Sequence, residues 1–283
     1  MKSPSPFFAA CCIAATALCL PISACSSGET RARQSFGEYQ AALASGDLLA
    51  ARRALLETVG AQDDVPVYWE ELGKLQVQLG SFNDAYYAYT RAHELDRTDP
   101  QILGNLTQLA LMSGQIDLAE KHAHELELIA ADNPAIHLAY GYAALQHQSL
   151  DEADRHSDEL LKALPDEPSA KLLKARILVA RKMNDEAIAL LENQLKSRPD
   201  DAGTLKALMS LHERSENWAG VAKMASRVAS LDPKDTDTGL MAVDAALRTK
   251  DVPAAMRAAQ PFLKPDAPGE RVDSVLWLWA EHW

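Results

Sequence analysis

The sequence lacks cysteine beyond position 25. Its four cysteines are Cys11, Cys12, Cys19 and Cys25, so the body of the chain has no disulfide framework, thiol nucleophile or cysteine metal site. It lacks positive charge: 28 Lys+Arg against 40 Asp+Glu leave a net charge of −12. That excludes a chain-wide basic footprint for nucleic acid. It lacks a long apolar run. The run from Phe7 to Leu20 is shorter than the roughly 20 apolar residues a spanning helix needs. No Gly-x-Ser-x-Gly elbow, Ser-x-x-Lys pair, phosphate loop or Gly-x-Gly-x-x-Gly occurs, so the usual signatures of covalent hydrolysis and of nucleotide binding are missing. Aromatics are scarce at 6 %, and much of the 47 % apolar content comes from 48 alanines. Such a composition is globular rather than disordered.

The N-terminus reads as an address. Met1-Lys2 precedes the apolar run, and Ile22-Ser23-Ala24-Cys25 follows it. A short apolar segment before small residues is a secretory signal. Those four residues resemble the lipobox of bacterial lipoproteins. The resemblance implies cleavage before Cys25, lipidation of Cys25, and anchoring by that lipid in a membrane. Ser26, rather than Asp, after the cysteine implies the outer membrane, facing the periplasm. The expected division is a signal peptide over 1–24, a lipidated tether over 25–31, seven repeats over 32–269 and a terminal helix over 270–283, either a cap or a truncated eighth unit. An extended tether would reach no more than roughly 20 Å.

Beyond the address the chain has a period of 34 residues. Pro66, Pro100, Pro134 and Pro168 mark it, as do Pro165, Pro199 and Pro233. Ala51, Ala85, Ala119, Ala153, Ala187 and Ala255 form a third ladder, with Val221 as its exception. A fixed period of this length means a repeat array. Units start at Ala32, Pro66, Pro100, Pro134, Pro168, Ala202 and Thr236. In the second, Trp69, Leu72, Leu75 and Leu79 recur at helical spacing; after Gly80-Ser81 the pattern resumes with Phe82, Ala85, Tyr86, Tyr89 and Ala92. Each unit is thus a helix, a four-residue turn and a helix. Asp47, Ser81, Ser149, Asn217 and Asp251 stand as N-caps behind the turns, and Ser149 with Glu152 has capping-box spacing. Gly73 and Gly141, at equivalent sites of first helices, imply close approach, since mid-helix glycine costs about 1 kcal/mol.

Trp69, Leu72, Gly73, Gly80, Ala85, Tyr89 and Ala92 resemble the signature of the tetratricopeptide repeat (TPR) family, with Arg97 in place of the usual proline. The resemblance runs from Ala32 to about Glu281. It implies an all-α, right-handed α-solenoid of about seven helix-turn-helix units plus a terminal helix. Units five and seven depart most: Lys171 and Lys174 stand where apolar residues are usual, and Pro261 cuts the last second helix short.

The family resemblance also implies a peptide- or helix-binding groove lined by first helices, here carrying Lys74, Gln108, Leu138, Tyr142, Arg176 and Lys206. Basic residues outnumber acidic ones at the inner sites, so an acidic or carboxylate-bearing segment is expected to dock against Lys74, Tyr142, Arg176 and Lys206. The Lys/Asn/Arg clamp of chaperone-binding TPR domains is absent: the matching places hold Phe36, Gln40, Glu71, Gln101 and Asn105. The implied role is non-catalytic. It is a scaffold whose partners are other proteins, assisting assembly of a pilus, secretion or exopolysaccharide-export machine. The alternative is a periplasmic holdase or adaptor presenting substrates to an envelope enzyme. No cofactor or metal is expected. His93-Glu94, His124-Glu125 and His212-Glu213 open like a zinc-protease motif, but Arg97, Leu128 and Glu216 stand where its second His belongs. His156 follows His122 by one period, a spacing that permits contact across units, but no third ligand completes a metal site. At the C-terminus Val272, Val275, Leu276, Trp279 and Trp283 form one helical face, with Trp277 and Leu278 pointing elsewhere.

Overall fold

A computed structural model describes residues 22–263 and 269–282, with side chains over 27–263 and 272–282. Among the described residues the secondary structure is entirely helical. The helices are α1 Ile22–Ala44, α2 Leu48–Ala61, α3 Pro66–Gln78, α4 Phe82–Leu95, α5 Pro100–Met112, α6 Ile116–Ile129, α7 Pro134–Gln146 and α8 Leu150–Ala163. They continue as α9 Pro168–Ala180, α10 Asn184–Ser197, α11 Ala202–Arg214, α12 Trp218–Leu231, α13 Thr236–Arg248, α14 Val252–Ala259 and α15 Gly269–His282. The prolines that set the period open first helices, where a missing N–H costs nothing. The fold class is the all-α one expected.

Every hairpin turns in the same way. The residue at the corner has positive φ in all seven: Gly46, Gly80 and Gly114, then Gln148, Lys182, Glu216 and Lys250. The residue after it sends its N–H back to the carbonyl five positions earlier, from Asp47 to Ala42 through Asp251 to Ala246, at 2.8–3.0 Å. This is the Schellman closure, and it needs a left-handed corner. Glycine takes that conformation freely; the four other residues take it because the two flanking helices leave no alternative.

The caps behind the corners divide by side-chain length. Asp47, Asn217 and Asp251 accept from the backbone N–H groups of Ala50, Gly220 and Ala254. Ser81 and Ser149 hold the same position without a side-chain bond, so the capping box expected at Ser149 and Glu152 does not form. The N-cap backbone is alike in both groups, and the shorter hydroxyl does not span the gap.

The alanine ladder is the core of each hairpin. Ala51, Ala85, Ala119, Ala153, Ala187, Val221 and Ala255 are all at 0 % exposure. Small side chains there let the two helices close, and larger residues fill the space on either side. Gly73 serves the same end: a Cβ on it would lie 2.8 Å from the ring of buried Tyr89.

The chain divides into two compact units, Met1–Ile102 and Leu103–Trp283. In the first, α1 packs on α2, α2 on α3 and α3 on α4. In the second, consecutive helices from α6 to α14 pack in turn, and the first helices α7, α9 and α11 are neighbours. Pro261 ends α14 after 8 residues, and a 3₁₀ turn, Gln260–Phe262, follows. α15 packs on α13 and that turn.

Three expectations need correction. The first helix starts at Ile22, not Ala32, so the tether over 25–31 is helical backbone, Gly28 included. Cys25 lies on α1 by its backbone, its side chain being outside the described residues. On α15, Val275 is buried, and Leu278 and Trp279 pack against the same cluster. Leu276 is exposed although it falls on the expected apolar face. Trp283 and residues 1–21, most of the signal peptide expected over 1–24, lie outside the described residues.

Candidate functional site

The candidate residues stand on first helices, one or more per repeat. Lys74, on α3, belongs to the first compact unit. Gln108 on α5, Leu138 and Tyr142 on α7, Arg176 on α9 and Lys206 on α11 belong to the second.

Lys74 is exposed but not free. Its Nζ donates to Glu70 and Glu71, each at 2.8 Å. Partial burial lowers its pKa, yet those hydrogen bonds outweigh burial and hold it above the ordinary lysine value. Glu71 also accepts from the Tyr39 hydroxyl at 2.6 Å. Burial would raise the Glu71 pKa, but the bonds from Lys74 and Tyr39 keep it below the usual range. Burial, and then the bond to Glu71, push the Tyr39 hydroxyl up.

In the second unit Tyr142 and Arg176 meet, the guanidinium lying 5.3 Å from the ring centre. Their helices are neighbours, and residues one period apart share a row. Burial raises the Tyr142 pKa, so the ring is a neutral platform under a cation. Lys206 donates to Asp235 at 3.1 Å. Hydrogen bonds from the Thr238 backbone and side chain, and then from Lys206, hold Asp235 below the usual carboxylate range. Gln108 is exposed. Leu138 corrects the expectation: it is 8 % exposed and sits in a core with Leu160, Leu173 and Ile177. An apolar side chain at a helix–helix seam gains more from burial than from lining an open face.

The basic balance read from the sequence is therefore largely answered from within. Lys74 and Lys206 carry their own carboxylates, and Arg248 pairs with Asp244 at 2.8 Å while covering the Trp218 ring at 4.3 Å. Arg176, with an aromatic ring rather than a carboxylate, is the candidate cation best placed to receive an acid.

Some contacts escaped the sequence reading. His156 pairs within its own hairpin. Its Nδ1 lies 3.1 Å from Nδ1 of His137, on the other helix of its own hairpin. Pairing within a hairpin is shorter-range than pairing across repeats, and positions 4 and 23 of a unit face each other. Among the described residues no group of three His, Cys, Asp or Glu side chains could hold a metal ion. Lys174, at an apolar place in the period, bonds Asp154 at 2.6 Å and Asp158 at 2.7 Å on the preceding second helix. The acidic residues 20 and 16 positions upstream were the signal for it.

Residues 137–268 match the family of the Psidin N-terminal TPR-repeat region, and residues 76–141 match the tetratricopeptide-repeat family. No curated protein matches the sequence. Among solved structures, a tetratricopeptide repeat protein from Parabacteroides merdae is similar over 88 % of this chain and 98 % of its own, at TM-score 0.57 and 17 % identity. A thermophilic TPR protein from Thermus thermophilus covers 65 % of this chain with 100 % of its own, at 0.55 and 20 %. PilW, a type IV pilus biogenesis factor, covers 75 % with 98 %, at 0.53 and 17 %. At these identities the likeness is one of fold. Helix pairs of period 34, closed by one recurring corner, and two matching repeat families together identify the chain as a tetratricopeptide-repeat protein, with the fold of a protein-interaction scaffold.

Proposed function

We propose that this chain is a lipid-anchored, non-catalytic scaffold of the bacterial envelope, facing the periplasm from the outer membrane. It assists assembly of a pilus, secretion or exopolysaccharide-export machine. The observation that carries the reading is Ile22-Ser23-Ala24-Cys25, with no cysteine after it. A lipoprotein anchor carries several acyl chains, enough for stable attachment. The first helix supports the reading further. From Cys25 to Ala32 the chain rises only about 10 Å as helix, so the repeats stand close to the leaflet. The likeness to PilW supports the choice of machine by analogy of fold.

The interaction face is the row of first helices in the second compact unit, where Gln108, Tyr142 and Arg176 stand one period apart. It receives an acidic or carboxylate-bearing peptide. Lys206 flanks it, and Lys74 is the corresponding cation of the first unit.

Labelled palmitate should mark the wild-type protein and not Cys25→Ser, and the label should fractionate with outer membranes. An unlabelled wild-type product would end the envelope reading. Crosslinking with affinity capture tests the role: one persistent complex supports a scaffold, whereas many transient clients would indicate a holdase.

A further inference from the structure

The second helices change character at α12. Its Ala219, Ala222, Ser226 and Ala229 wall a cavity shared with α14. At each of these four places all five earlier second helices, α2 to α10, carry a larger side chain. On α10 they are Asp185, Ile188, Glu192 and Leu195, and on α4 Asn83, Tyr86, Thr90 and His93. The opposite wall is small as well, with Ala254, Ala258 and Pro261. Its helix, α14, ends after 8 residues, where each other second helix runs for 14. Short walls and a short helix leave about 530 Å³ open, with Ala242 and Ala246 of α13 and the Phe262 ring completing the apolar lining. The slot follows α12 from Ala219 to Ser230, about 15 Å of helix. A largely apolar cavity of this size suits a small molecule.

The polar side chains of the lining divide by chemistry. Its two carboxylates are engaged. Asp235 accepts from the Thr238 backbone and hydroxyl and from Lys206, and Asp251 accepts from the Ala254 backbone as the cap of α14. The Ser230 and Thr249 hydroxyls donate to the nearby carbonyls of Arg227 and Ala246. The side chains left over are donors. Lys223 on α12 and Arg257 on α14 stand one period apart and form no ion pair among the described residues. The Ser226 hydroxyl makes no hydrogen bond among them either. An apolar slot thus lies between two cations without counter-ions. A cationic ligand would meet no free carboxylate there, and a neutral one would leave both charges unanswered. We propose that this cavity binds a small amphiphilic anion, an unbranched carboxylate whose chain lies along the alanine walls while its head group meets Lys223 and Arg257. Burial of the chain and charge-assisted hydrogen bonds at the head group act together. The site stands on second helices, apart from the first-helix row of Gln108, Tyr142 and Arg176, and holds whether or not Cys25 is acylated.

Isothermal titration of the full chain with decanoate, kept below its micelle concentration, tests this. Decanoate should bind saturably at one site per chain. Decylamine should not bind and acetate should not compete, because the first has the wrong charge and the second has no chain. Ala222→Leu and Ala258→Leu each fill the slot and should abolish binding without lowering the melting temperature. Lys223→Gln combined with Arg257→Gln, both exposed, should weaken decanoate about tenfold or more and leave the weaker binding of decanol unchanged. Failure of decanoate to saturate, equal binding by a folded leucine variant, or decylamine binding as tightly as decanoate overturns the proposal. Should both leucine variants fail to fold, the glutamine pair decides, and unchanged decanoate affinity there overturns it. So does a dimer in sedimentation that Ala222→Leu abolishes, because the occupant is then a second copy.

Discussion

Two glycines of the first compact unit carry opposite predictions. A Cβ on Gly37 meets nothing within 4 Å, whereas one on Gly73 meets the Tyr89 ring at 2.8 Å. Gly37→Ala should stabilise by about 0.5–1 kcal/mol through helix propensity. Gly73→Ala should lower stability by about 1–3 kcal/mol, since overpacking a buried ring exceeds that gain. Urea titration of the two variants checks both signs. The histidines set a pH dependence. Burial, then Arg155 and His137, lower the His156 pKa, with Glu152 and Glu127 opposing; burial, with Lys223 adding to it and Glu192 opposing, lowers that of His212. The native state thus takes up these protons later than the unfolded chain. Stability should hold above the ordinary histidine pKa of about 6.5 and fall as pH drops through the depressed native values. Thermal melts between pH 8 and pH 5 should show this fall, and it should shrink in His156→Gln. An unchanged profile in that variant would mean that the paired imidazoles are not its source.

At the scale of the helical hairpin, the recurring corner is the element that decides. Gly46, Gly80 and Gly114 announce three corners in the sequence, but Gln148, Lys182, Glu216 and Lys250 do not announce the other four. Their left-handed backbone is imposed by the helices on either side, which residue identity does not record. Lys182→Gly should therefore stabilise by a few tenths to about 1 kcal/mol, relief of strain outweighing added chain entropy. Gly80→Ala should destabilise by about 1 kcal/mol. Chemical denaturation that ranks these two in the reverse order would refute the account. Helix starts were legible because proline and the alanine ladder keep the period. The capping bonds were only partly legible, because Asp and Ser are both good N-caps by composition and only the reach of the side chain separates them.

For the molecule as a whole, capture of a partner should depend more on Arg176 than on the other candidate cations. Arg176→Glu should weaken partner capture and leave the melting temperature nearly unchanged, since it loses only a ring contact. Lys206→Glu should weaken capture and also lower the melting temperature, because it turns a carboxylate on Asp235, whose side chain caps α13 through Thr238. Equal capture by wild type and both variants would remove this face from the function.

The sequence by itself determined the repeat, its phase and its helical class. These follow from local rules: which residues open helices, which punctuate them, and which are small enough to lie between two. It also carries Ile22-Ser23-Ala24-Cys25, the linear motif on which the proposed address rests. Tertiary structure alone decided which candidate side chains are available. Lys206 finds Asp235 in the next repeat, Leu138 sinks into the core, His156 meets His137, and Trp277 stays exposed. Each outcome depends on which helix lies opposite, and a one-dimensional pattern specifies the spacing of side chains without specifying what faces them.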